Sequence, residues 1–527
     1  MGRETNIDSI RALEEEIKEH EMAVIRLKRA RNSLLNVSKL PPELLGQIFH
    51  CNVAPKDDFD GLDKGSHNFL FVCHHWFEVA SHTPELWSSW GNSLKDWVRW
   101  CRRSGTTPLD LVLGSHDDNV DDSDVDALCN ALRDRAAQGT IKRLHLAAPE
   151  YDLKPIIELL AADPGEPRPS GMETIILWNE GDDSLDVSDF FSRSRFPKLR
   201  RLVLDHCTIS SWAHLTSQTS ILTTLELGLD GPSPTPTTSQ LLSILASNPA
   251  LRKVRLFNRA IPDDGGGESS SRVQLHHLKE LRLDGELGSA IRLLDQLDHP
   301  RNIDLISLIL CDCDVMDIPQ IIGPYLRDHL QRRDRPQNGL SLRVFSEGHG
   351  QRHITFQAGG AGGIKYSAPE WEQMNTFVEI TPILKAAPPG GVLEKAALDL
   401  IAYAPLEEVV YFHTDRIPIA LEDVHARLLN LRALSFHKVS FPAAFPGLHL
   451  IGNGKVFPSL EHVLLADVVV HRHDWSPLKT FLASRMSSGN RLDTLAIVGS
   501  LNAHQRVVVE GIRDMVREFS LSQEGGI

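Results

Sequence analysis

The chain is poor in aromatic residues, 6% of 527, and holds only seven cysteines with no CxxC pair among them. So few aromatic rings oblige any core to rest on leucine, isoleucine and valine. The odd, scattered cysteines argue against a disulfide framework and fit a reducing compartment. No run approaches the ~18 apolar residues of a membrane span. The opening Met1-Gly2-Arg3-Glu4-Thr5-Asn6 lacks a signal-peptide apolar core, and Asn6 misses the Ser/Thr of a myristoylation motif. Excess positive charge is missing as well: the net balance is −15, against the basic face expected of a nucleic-acid binder. The short stripe Lys28-Arg29-Ala30-Arg31 fits the solvated side of a helix. A cytoplasmic or nuclear protein is expected, with neither membrane nor nucleic acid as partner.

What is present is ordinary for a folded chain, 41% hydrophobic and 24% charged. Its length exceeds the roughly 250–300 residues at which single cores stop growing, so several domains or a repeat array are implied. Residues 7–37 space apolar side chains three and four apart, at Ile10, Leu13, Ile17, Val24, Leu27 and Leu34, interrupted by His20 and Arg31. That is the spacing of an amphipathic, coiled-coil-like helix. Two polar interruptions in four heptads leave two readings: weak self-association, or a single helix packed on its own protein. Trp97, Trp100 and Arg102-Arg103 follow in a helix-like stretch ending at Ser104-Gly105, and Asp117–Asp126 read as an acidic loop.

From about residue 138 one pattern recurs. Leu199-x-x-Leu202-x-Leu204-x-x-Cys207-x-Ile209 is its best copy, and Leu305-x-x-Leu308-x-Leu310-x-x-Cys313-x-Val315 a second. Taking the fourth position as marker, copies fall at 144, 175, 202, 225, 254, 281 and 308, then at 409, 434, 463 and 495. A period near 27 residues with this spacing is the signature of leucine-rich repeats. Leu-x-Leu on a short strand turns two side chains inward, and one such unit cannot bury its own apolar face, so units must stack. Helix-like stretches at Gln240–Ser247 and Leu287–Leu297 end before Pro249 and Pro300, normal stops. The rhythm breaks over 316–405, where Leu342–Phe345 and His353–Phe356 read as strands, either a hairpin or two degenerate repeats. The run Gly359–Gly363 reads as loop.

Residues 39–92 hold a different unit. Leu40-Pro41-Pro42-Glu43-Leu44-Leu45, with Ile48-Phe49, opens one amphipathic helix, since proline is tolerated in a helix's first turn. Val72-Cys73-His74-His75-Trp76 and Val79-Ala80 form a second, and Leu86-Trp87 closes the unit. These elements, in this order, resemble the F-box; only the stretch from Phe49 to Val72 is longer than the family's. The resemblance implies a small helical bundle that docks on the Skp adaptor, and through it on cullin and RING subunits. By position, the docking residues would be Leu40, Pro41, Leu44, Ile48, Val72 and Trp76, with Leu86 and Trp87.

An F-box joined to leucine-rich repeats resembles a substrate receptor of a ubiquitin ligase, itself non-catalytic, holding an unknown protein substrate. Residues flanking the inward leucines would face that substrate: Arg201 and Asp205, Arg255 and Phe257, Arg282 and Asp284, and Phe412 and His437. No cofactor or metal is expected. Cys311-Asp312-Cys313-Asp314, His276-His277 and His471-Arg472-His473-Asp474 lack zinc-site spacing. Asp122-x-Asp124-x-Asp126 lacks the glycine and glutamate of an EF-hand. No nucleophile elbow or phosphate loop appears. The organisation expected is α/β: a helix over 1–38, the F-box over 39–92, a helix and acidic linker over 93–137, and a curved repeat solenoid over 138–527, irregular at 316–405. The rival readings are a repeat scaffold unconnected with degradation, or an enzyme hidden in 316–405.

Overall fold

A computed structural model describes residues 4–53, 68–88, 100–113, 122–137, 139–161, 171–193, 196–218, 221–229, 235–264, 272–300, 303–314, 317–331, 339–346, 352–360, 375–384, 392–404, 406–415, 427–438, 457–467, 475–501 and 503–522. The chain is mixed α/β with a large parallel sheet. It divides into two compact units, one of residues 1–219 with 230–233 and one of 220–229 with 234–527. The division falls inside the region of the leucine pattern.

The first unit begins with helix α1, Glu4–Ser33, rich in Glu and Arg and closed by Arg31 in its last turn, where a cation suits the helix dipole. Helix α2, Pro42–Val53, and helix α3, His74–Ser81, follow, with short 3₁₀ turns at Asn68–Phe71 and Pro84–Trp87. Next come strands β1 (Leu109–Leu113), β2 (Ile141–Ala148), β3 (Thr174–Asn179) and β5 (Arg201–Asp205), all parallel, while the short β4 (Leu185–Asp186) and β6 (Cys207–Thr208) pair separately. The sheet therefore starts earlier than the 138 boundary expected. Leu109-x-Leu111-x-Leu113 alternates with period two, and its register sets Leu111 and Leu113 beside Leu144 and Leu146. Within the expected acidic loop, Asp122–Asp126 instead open the helix Asp122–Ala137, and the part from 117 to 121 lies outside the described residues.

In the second unit, strands β7 (Thr224–Leu229), β8 (Lys253–Asn258), β10 (Glu280–Glu286) and β12 (Leu305–Cys313) are parallel neighbours, and β9 (Val273–Gln274) pairs with β11 (Leu297–Asp298). Helices Thr238–Ala246 and Leu287–Asp295 lie where the sequence puts them; the first starts with a capping box in which Thr237 and Gln240 each satisfy the other's backbone N–H. Strands β13 (Gly339–Ser346), β14 (Arg352–Gly360) and β15 (Asn375–Leu384) explain the broken rhythm. β13 and β14 form an antiparallel hairpin, β14 pairs antiparallel with β15, β15 continues from β12, and β13 leads to β16 (Tyr411–Asp415). Parallel order resumes through β16, β17 (Ala433–His437), β18 (His462–Ala466), β19 (Thr494–Val498) and β20 (Glu518–Ser522). Of the expected glycine loop, Gly359 and Gly360 belong to β14, and 361–363 lie outside the described residues.

Register corrects two copies of the pattern. Leu225, Val254, Leu281 and Ile306 stand side by side, as do Leu227, Leu256, Leu283 and Leu308. The copy is thus Ile303-x-x-Ile306-x-Leu308, two residues earlier than Leu305-x-x-Leu308, because Ile303 is buried and Leu305 only partly so. Cys311, not Cys313, then matches Cys207. Likewise Phe412 stands beside Leu434, which stands beside Val463, and Val463 beside Leu495, so the marker belongs at 412 instead of 409. One backbone turn recurs with the pattern. At the eighth position of four copies the chain turns left-handed, at His206, Lys438, Asp467 and Gly499. At Gly499, with φ 137°, an added Cβ would lie 2.9 Å from an Asp467 carboxylate oxygen.

Candidate functional site

Helix α2 has two apolar edges. Leu45 and Phe49, one turn apart, are fully buried, while Leu44 and Ile48, one residue earlier on the same turns, are 47% and 44% exposed. The buried edge organises the unit. Phe49 stacks on Phe69 at 4.4 Å between ring centroids and tilts against Trp76 at 5.2 Å. Val79, Ala80, Leu86 and Trp87 complete this core. The Trp87 indole N–H donates to the Ala80 carbonyl at 2.7 Å, and the Arg103 guanidinium lies 4.5 Å from the Trp87 ring centre. Gly46 lets α2 approach Thr83, whose side chain an added Cβ would meet at 3.3 Å.

The structure therefore corrects two expected docking residues. Leu86 and Trp87 are buried and hold the unit together, because Trp87 spends its one donor on α3 and both side chains fill the core. Pro41, Leu44, Ile48 and Val72 are exposed, and Leu40 and Trp76 are partly so. Sequence reasoning missed Phe71, which is 86% exposed, and Phe77 at 42%. The signal lay in Phe69-Leu70-Phe71-Val72, a run too apolar for a four-residue turn that can bury only one ring. The long stretch 54–67 lies outside the described residues.

The outward positions on the sheet are mostly engaged within the protein. In the second unit Arg255 donates to Glu280 through Nε at 2.9 Å and Nη2 at 2.7 Å, and reaches Glu226 at 3.4 Å. Lys253 pairs with Glu226 at 3.0 Å and Arg282 with Glu280 at 2.8 Å. Burial pushes the Glu280 carboxyl upward, but the hydrogen bond and charge of Arg255, with Lys253 and Arg282, bring it below the usual range. Burial raises Asp284, opposed by a hydrogen bond from the Cys311 thiol at 3.5 Å. Phe257 is partly exposed, and His437 lies 3.5 Å from Asp467.

Phe412 does not project outward as expected. It is fully buried, because the register makes it the inward partner of Leu434. Its neighbour His413 is buried too, with Nδ1 3.0 Å from Ser435 Oγ. In the first unit, Arg201 and Asp205 are partly buried, and burial followed by the nearby Arg201 charge lowers the His145 imidazole to about 4. Arg143 pairs with Asp110 at 2.6 Å.

One further polar feature was not legible beforehand. Arg485, in the helix Ser476–Ser487, is buried and donates to the carbonyls of Phe457 at 2.9 Å and Leu460 at 2.6 Å. There it clamps the turn before β18, and burial lowers its pKa. Among the described residues no group of three or more His, Cys, Asp or Glu could hold a metal ion, and no helix is long and apolar enough to cross a membrane. His471-Arg472-His473-Asp474 lies outside the described residues. No family model matches this chain, and no curated protein matches it in sequence.

Proposed function

We propose that this chain is the substrate-recognition subunit of a Skp–cullin–RING ubiquitin ligase acting in the cytoplasm or nucleus. In this reading residues 39–92 are an F-box, and the repeats form a leucine-rich-repeat solenoid that holds a protein substrate. The observation that carries the proposal is the division of α2. Leu45 and Phe49 suffice to bury its inner edge, and Leu44 and Ile48 are left exposed at positions where the F-box pattern places adaptor contacts. Val72 of the motif and Phe71 just before it add exposed apolar side chains that an adaptor would cover. The subunit would transfer no ubiquitin itself; it would hold a substrate lysine close to a charged conjugating enzyme, raising the effective concentration of the reacting groups.

Binding of the purified chain to purified Skp adaptor tests the reading. Truncating Leu44 and Ile48 together to Ala should weaken binding by roughly 30-fold or more, as loss of hot-spot side chains costs about 2 kcal/mol or more. The thermal unfolding curve should not change, since neither side chain supports the core. A folded wild-type chain that ignores the adaptor would leave the repeats to be studied as a scaffold.

A further inference from the structure

The heptad face of α1 is uncovered: Ile10, Leu13, Ile17, Val24 and Leu27 within the helix, and Leu34 just past its end, are all exposed. We propose that this face binds a second copy of the same chain, antiparallel. Its a positions are Ile10, Ile17, Val24 and Arg31, and its d positions Leu13, His20, Leu27 and Leu34. Apolar residues at six of these eight positions make the seam of a coiled coil.

Charge fixes the direction. Residues 4–21 carry Glu4, Asp8, Glu14, Glu15, Glu16, Glu19 and Glu21 against Arg11 and Lys18, whereas residues 22–33 carry Arg26, Lys28, Arg29 and Arg31 and no acid. A parallel pair would set acid on acid and base on base, bring Glu16 beside Glu21 of the second copy, and press Arg31 against Arg31 in one core layer. An antiparallel pair centred near residue 22 lays the acidic half on the basic half. It stacks Ile10 on Leu34, Ile17 on Leu27, Val24 on His20 and Arg31 on Leu13, each with its counterpart in the second copy. The flanking e positions then meet as Glu14 with Lys28 on both sides of the centre, leaving one acid contact, Glu21 on Glu21, against the two Glu16–Glu21 contacts of a parallel pair.

This inference is independent of adaptor binding and is tested on the full chain by sedimentation equilibrium at low salt, where exposed charge pairs are least screened. Wild type should dimerise. Glu14→Lys and Lys28→Glu should each weaken the dimer roughly five- to twentyfold, since each change turns two symmetry-related attractions into repulsions. The double variant Glu14→Lys with Lys28→Glu should regain wild-type affinity. In a parallel dimer residues 14 and 28 face Ser9 and Ala23, so single variants as tight as wild type would overturn the proposal. A wild-type chain that stays monomeric at about 100 μM would overturn it as well.

Discussion

Arg255 on β8 grips Glu280 on the neighbouring β10 through two guanidinium nitrogens, and reaches back to Glu226 on β7. One side chain thereby bridges three adjacent strands at outward positions. Glu226 is largely buried, so it depends on its cations to offset desolvation.

Replacing Arg255 by Met should destabilise the second unit by about 1.5–3 kcal/mol at neutral pH, the range for hydrogen bonds to charged groups. Urea denaturation checks it. The pH dependence has a fixed sign. Glu280 has its folded pKa lowered, so its contribution is present above the ordinary carboxylate pKa near 4.5 and is lost as pH falls through the folded value. Arg255→Met should flatten that acid limb. An unchanged limb would mean that Lys253 and Arg282 hold Glu280 without help.

His145 gives a titration in the opposite chemical class. Its imidazole is lowered from 6.5 to about 4, first by burial and then by the charge of Arg201. The folded state therefore resists protonation. Its stability should be complete above about pH 6.5 and fall as pH drops from 6.5 toward 4, by on the order of 2–3 kcal/mol. His145→Gln cannot titrate and should lack that part of the loss. Denaturation midpoints of both proteins at pH 7 and pH 4.5 provide the comparison.

Much of this fold was readable from leucine spacing, because the inward positions tolerate only apolar side chains and recur at a fixed offset. Leu202 and Leu204, or Leu281 and Leu283, could hardly be misplaced. Register failed where apolar residues crowd. Ile303-Asp304-Leu305-Ile306-Ser307-Leu308 offers two overlapping copies, and only the neighbouring strand β10 chooses between them. Phe412 was misread for the same reason, being apolar beside apolar Tyr411. In the F-box-like segment the helices were legible. Which edge of α2 faces inward was not, since Leu44-Leu45 and Ile48-Phe49 are apolar on both edges. Arg485 was illegible in principle: nothing local marks an arginine whose partners are backbone carbonyls of a distant turn.

The register correction predicts an asymmetry between near neighbours. Ile303→Ala should cost about 2–5 kcal/mol, as should other deletions of a buried aliphatic side chain, whereas Leu305→Ala should cost clearly less because Leu305 is only partly buried. Phe412→Ala should cost about 3–5 kcal/mol. Were Phe412 a surface contact for a substrate, the same change would leave stability within about 0.5 kcal/mol. Equal losses for the Ile303 and Leu305 variants would restore the later copy.

Trp87 separates holding the F-box-like unit together from docking. Its ring fills the core, its N–H bonds Ala80 across seven residues, and Arg103 covers one face. Trp87→Ala removes all three and should cost about 3–5 kcal/mol. Trp87→Phe keeps most of the ring volume but leaves the buried Ala80 carbonyl without that donor, so about 1–3 kcal/mol is expected. Both losses should register as faster amide exchange in α2 and α3. On the proposed docking to Skp adaptor, a buried Trp87 lies outside the interface, and the folded Trp87→Phe protein should match wild-type binding within a few-fold. A folded Trp87→Phe chain that loses adaptor binding outright would put Trp87 back in the interface and mean that the unit opens to dock.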